Sequence, residues 1–117
     1  MTDLKFDLLK CQSLRQIVDE LRPLLESYGH LFPPDKAARV LLKPNLNANM
    51  NALTGNTTDL RLLSAVVQLL KDKGYKNIVI GEGTNSGFYR NRIGVISRLK
   101  VDKLAAYYGI GVVDFNY

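Results

Sequence analysis

Two apolar runs too short to be helices, Val40-Leu41-Leu42 and Ile78-Val79-Ile80, bracket a segment whose apolar residues recur at helical spacing. This alternation limits the fold more than any other feature. The first run ends at Lys43-Pro44 and the second at Gly81, so the spacing predicts strands over 39–43 and 77–81. The unbroken apolar character of the second fits a strand covered on both faces. Between them Leu60, Leu63, Val66, Val67, Leu69 and Leu70 form a wide stripe, which predicts a helix over about 59–73. Thr57 or Thr58 starts it. Lys71 and Lys73 complement the helix dipole in its last turn, and Gly74 ends it.

The same signals continue on either side. Leu14, Ile17, Val18, Leu21, Leu24, Leu25 and Tyr28 predict a helix over 13–29, capped by Ser13 and closed by Gly29 and Pro33-Pro34. Pro23 lacks a backbone donor and is expected to kink or split it. Helical pieces are expected near 93–99 and 102–108, with a third strand over 112–115 after Gly109 and Gly111. Helices alternating with strands imply parallel pairing through right-handed crossovers. The expected class is α/β, a three-layer, mostly parallel sheet with crossover helices, doubly wound and Rossmann-like, in a minimal or incomplete version.

A chain of 117 residues fits one domain spanning 1–117. Its single cysteine, Cys11, excludes an intrachain disulfide, and with it a cysteine-ligated zinc or iron–sulfur cluster built by this chain alone. One histidine, His30, leaves little for a metal site, and none is expected. Cys11 reads as a small half-buried residue ahead of a helix. No apolar run reaches the ~20 residues that span a bilayer. The first ten residues carry Asp3, Lys5, Asp7 and Lys10, unlike a secretory signal, so a cytoplasmic location is expected.

The net charge is +5. It is concentrated in residues 84–117, where Arg90, Arg92, Arg98, Lys100 and Lys103 face only Asp102 and Asp114. Local excess matters more than the total, and it points to an anionic partner.

In open α/β sheets ligands collect beyond the carboxyl ends of the strands. Here those ends are Lys43-Pro44-Asn45, Gly81-Glu82-Gly83 and Asp114. The first is followed by a loop over 44–58 with no charged residue and many asparagines, among them Asn45, which tolerate irregular backbone. Lys43 ends an apolar strand, where an ammonium needs a partner, a ligand, or a route to solvent. Thr57 and Thr58, at a helix start, would either cap it or help hold an anion. Gly81, Glu82 and Gly83 with Gly87 resemble a phosphate-cradling loop, but Ser86 stands where the dinucleotide pattern needs glycine. The glycines serve equally as a tight turn. Glu82 could act as a base or, with Asp114, hold a cation; it could also be a solvated loop carboxylate. Arg90 and Arg92 could clamp an anion or decorate a helix start. Tyr107 and Tyr108 read as core packing.

Taken together, Val40-Leu41-Leu42-Lys43-Pro44-Asn45-Leu46, the threonine-started helix ending Val66-Val67-Gln68-Leu69-Leu70-Lys71, Ile78-Val79-Ile80-Gly81-Glu82-Gly83 and the closing Leu104 to Asp114 resemble the family known as domain of unknown function 362. The resemblance covers about residues 14–115. It implies redox surroundings, since members often carry ferredoxin-type iron–sulfur segments, and a distant likeness in fold to nickel-dependent lactate racemase. This chain lacks a cysteine cluster, so no iron–sulfur role carries over. It is shorter than typical members and looks like the N-terminal portion of a longer protein, or a trimmed version. By position, Lys43, Asn45 and Glu82 are the site residues the resemblance implies.

Three functions compete. The first is binding of an anionic small molecule or cofactor of unknown identity by Lys43, Asn45, Thr57, Thr58, Gly81, Glu82, Gly83, Arg90 and Arg92, with a second domain or a homodimer completing the site. The second is an enzyme with Glu82 as acid/base and Lys43 as electrostatic stabiliser. The third, less favoured, is a nucleic-acid-binding module using the basic 90–103 segment.

Overall fold

The computed structural model describes residues 6–46, 57–83, 96 and 99–115. The main elements run α1 (Leu14–Ser27), β1 (Val40–Leu42), α2 (Leu60–Asp72), β2 (Ile78–Glu82), α3 (Val101–Tyr108) and β3 (Gly111–Asp114), with a short 3-10 turn at Gly29–Leu31 after α1. The three strands form one parallel sheet in the order β1-β2-β3. The α/β class with parallel strands joined by helices is therefore the fold of this chain.

Helices α1 and α2 each start on a side-chain cap. Ser13 Oγ accepts from Gln16 N at 3.1 Å to cap α1. The expected break at Pro23 does not occur: α1 runs through it unbroken. Pro23 faces solvent, so its ring meets no packed neighbour, although one rung of the helical ladder is lost there. The cap of α2 is Asp59 rather than Thr57 or Thr58, and its carboxylate accepts from Arg61 N at 2.8 Å.

The two crossover helices end alike. After α2, Gly74 takes φ 98°, with Gly74 N donating to Lys71 O at 2.9 Å and Tyr75 N to Leu70 O at 3.1 Å. After α3, Gly109 takes φ 67°, with Gly109 N donating to Ala106 O at 3.2 Å and Ile110 N to Ala105 O at 3.0 Å. This paired bonding around a left-handed residue is the Schellman stop. Each stop turns the next apolar residue, Tyr75 or Ile110, back toward the core just before a strand begins.

Both crossovers lie over the same face of the sheet. Ile78 and Ile80 pack there with Leu63 and Leu70 of α2 and with Val101 and Ala105 of α3, and burying each isoleucine contributes about 1.5–3 kcal/mol. A sheet whose strands follow chain order keeps right-handed crossovers on one side. Helix α1 packs against α2. Tyr75 is fully buried, its hydroxyl donating to Pro33 O and its ring edge-on to Phe32 at 6.4 Å.

Of the three layers expected, the described residues form the sheet and the helical layer on one side. On the other side Leu41 is 51% exposed, Val113 44% and Phe115 49%. The expectation for β2 holds on the helix face, while Val79 on the open face is half-buried. Among the described residues no helix is long and apolar enough to cross a membrane.

Candidate functional site

At the carboxyl edge of the sheet, chain geometry gathers most of the residues the sequence marked. β2 ends on Glu82, whose side chain points to the helix-covered face and is only 5% exposed. A carboxylate there must be matched by donors. It is: Oε1 lies 3.2 Å from Lys43 Nζ and accepts from Gly83 N at 2.9 Å, while Oε2 accepts from Leu46 N at 3.2 Å. One side chain thus ties the exit of β1 to the exit of β2.

A second tie closes the long loop after β1. Thr58 N donates to Asn45 O at 2.8 Å, and Asn45 N donates to Thr58 Oγ1 at 2.9 Å. Next to it, Leu46 and Thr57 form an antiparallel bridge, with Leu46 fully buried in the core. Asn45 and Thr58 therefore meet through backbone and hydroxyl rather than through two side chains aimed outward.

Lys43 has the partner that its position demanded, and it also reaches solvent, with its side chain 62% exposed. Its ammonium carries three donors, and Glu82 engages it from the buried side. Asp114 sits in register beside Glu82 on the neighbouring strand and is half-buried. Phe115 N extends that pairing by donating to Glu82 O at 3.1 Å.

Gly81 is a sheet residue paired with Val113, not part of a turn. Its missing side chain matters on the open face: a Cβ would lie 2.6 Å from Phe115 Cζ and 3.2 Å from Leu41 Cδ1. Gly83 follows the strand and supplies an amide to Glu82. Arg90 and Arg92 lie outside the described residues, as do most of the asparagines of the first loop.

The sequence reading missed the roles of Asp59 and of the Leu46 amide. Asp59 immediately precedes the first apolar residue of α2, which is the signal that identified a cap better than the threonines did. Its carboxylate is gripped by Arg61 Nη2 at 2.7 Å and Arg61 Nε at 3.1 Å, and the hydrogen bonds from Arg61 hold its pKa below the usual carboxylate range. The N-terminus of α2 thus already holds an anion of its own. The Leu46 contact left no mark in the sequence, because a backbone amide has no residue type.

Tyr107 is 82% exposed, against the expected core packing, because its position on α3 points away from α2. Tyr108 is half-buried and joins the helices, its hydroxyl bonded to Ser64 Oγ and accepting from Gln68 Nε2 at 2.7 Å. Among the described residues no group of three or more histidine, cysteine, aspartate or glutamate side chains is placed to hold a metal ion.

Comparison with curated proteins and with solved structures gives no match. A protein-family model does match, over residues 40–117, which takes in β1 through β3 and the whole of the site just described. The chain belongs to the family described as Domain of unknown function (DUF362).

Proposed function

We propose that this domain binds an anionic small molecule or cofactor at the carboxyl ends of its strands, with Lys43 as the principal charged contact. The observation that carries this reading is the asymmetry of the Lys43–Glu82 pair: the carboxylate is buried, and the ammonium stands in solvent. Glu82 holds the lysine head at the carboxyl ends of β1 and β2, the edge of the sheet at which open α/β folds take their ligands. An ammonium fixed in this way loses less conformational freedom on binding than a free surface lysine. Asn45 and Gly83, at the exits of β1 and β2, would supply further donors, and Arg90 and Arg92 are the further basic contacts that the sequence offers. A second domain or a second copy of the chain would close over the ligand.

Acid/base chemistry by Glu82 draws less support, because both carboxylate oxygens already accept hydrogen bonds or the lysine. Its place favours orienting Lys43.

The test is titration of isotopically labelled protein with inorganic phosphate and with malonate, followed by amide shifts. Saturable shifts at Lys43, Asn45, Leu46 and Gly83 are expected, lost in Lys43→Met and retained in Lys43→Arg. Shifts in Lys43→Met equal to those of the wild type would overturn the reading.

A further inference from the structure

At the opposite edge of the sheet lies a second basic site. The segments that lead into β1 and β2 meet there around an open depression of about 590 Å³, lined by Lys36, Ala37, Gly74, Lys76 and Asn77. Its floor is Gly74. The left-handed conformation that stops α2 favours glycine at that point. The stem of Lys36 forms the wall: a Cβ on Gly74 would lie 3.9 Å from Lys36 Cγ.

Two of the lysine heads nearby rest on aromatic rings. Lys36 Nζ sits 4.3 Å from the centroid of the Tyr75 ring, and Lys73 Nζ sits 5.3 Å from that of Phe32. These two rings are packed edge to face. The pair of buried Tyr75 and half-buried Phe32 thus carries a cation on each ring, at about the separation where ring and cation attract.

Of the nearby acids, Asp72 is matched by a cation, whereas Asp35 bonds a neutral backbone amide, which does not offset its charge. Asp35 Oδ1 accepts from Ala37 N at 2.9 Å, and Asp72 Oδ2 pairs with Arg22 Nη2 at 3.1 Å. With Asp72 matched by Arg22, Lys36, Lys73 and Lys76 outnumber Asp35, and the charge around the hollow is net positive.

We propose that this hollow binds a diphosphate group, with Lys36 and Lys76 each meeting one phosphate and the Asn77 amide donating between them. Two separated ammonium groups suit two linked phosphates better than one carboxylate, because each lysine acts as a point charge rather than a planar fork. The site is independent of Lys43 at the carboxyl edge, from which the length of the strands separates it.

The experiment is titration of labelled protein with pyrophosphate at constant ionic strength, read by amide shifts. Saturable shifts at Ala37, Gly74, Lys76 and Asn77 are expected. The double variant Lys36→Met/Lys76→Met should weaken them at least about tenfold, as loss of charge-assisted contacts predicts. Replacing both lysines by arginine should retain binding, and Lys43→Met should leave these shifts unchanged. Lys76→Met alone, which does not touch the Tyr75 ring, covers the case in which the double variant fails to fold. Wild-type affinity in these methionine variants, or weak shifts spread over exposed lysines throughout the chain, would overturn the proposal.

Discussion

Lys43 Nζ stands 3.2 Å from Glu82 Oε1, and the two ends of that ion pair live in different media: the lysine side chain is 62% exposed and the glutamate 6%. Removing the buried end should cost more than removing the wet one. Glu82→Gln keeps the shape but turns one acceptor into a donor facing Leu46 N or Gly83 N. We expect a loss of about 1–3 kcal/mol, measured by urea unfolding. An unchanged midpoint would mean that the carboxylate contributes nothing to holding the strand exits together.

Lys43 and Glu82 should also couple. Lys43→Met in the wild-type background strands a buried carboxylate, whereas in the Glu82→Gln background it does not. The double-mutant cycle should therefore return an interaction of about 0.5–3 kcal/mol. Strict additivity would mean the pair is a coincidence of position.

Asp59 sets part of the response to acid. Its folded pKa is depressed by Arg61. A group of this kind stabilises the fold fully above its unfolded pKa, and the stabilisation is lost as pH falls through the folded value. Asp59→Ala should cost about 1 kcal/mol near neutrality as a lost cap. It should also flatten the decline of stability on the acid side, with the two unfolding curves converging at low pH. Parallel curves down to that limit would show that Asp59 does not titrate differently in the folded state.

Tyr108→Phe removes the hydroxyl shared by Ser64 and Gln68 between α2 and α3. A loss of about 0.5–1.5 kcal/mol is expected, with amide exchange accelerated in α3 first. Wild-type exchange rates in α3 would mean that the two helices are held by apolar packing alone.

Much of this was legible in the residues. The period-3.6 stripe of α2, the runs Val40-Leu41-Leu42 and Ile78-Val79-Ile80, and Gly74 and Gly109 as stops all specify structure through local physics. Lys43, Asn45, Thr58 and Glu82 were readable as neighbours because parallel strands bring their exits to one edge. Three things were not. Which residue caps α2 turned on Asp59 competing with two threonines one and two places earlier. The grip of Glu82 on Leu46 N depends on tertiary placement of an amide that every residue possesses. The position of both crossovers on one face follows from strand order, which no local pattern encodes.

That strand order has a kinetic consequence. Among the described residues β2 is the strand that pairs with both others, and β1 and β3 are each joined to the sheet through it. Val40 cannot find a pairing partner until Ile78 is in place, nor Val112 until Ile80 is. Each of these pairings closes a long loop that contains a helix, and the entropy of that closure must be met before the contact is made. A folding nucleus for this chain therefore centres on β2 with the Schellman turn that delivers it. Substitutions at Ile78 or Ile80 should slow folding, whereas those confined to the outer strands should chiefly speed unfolding.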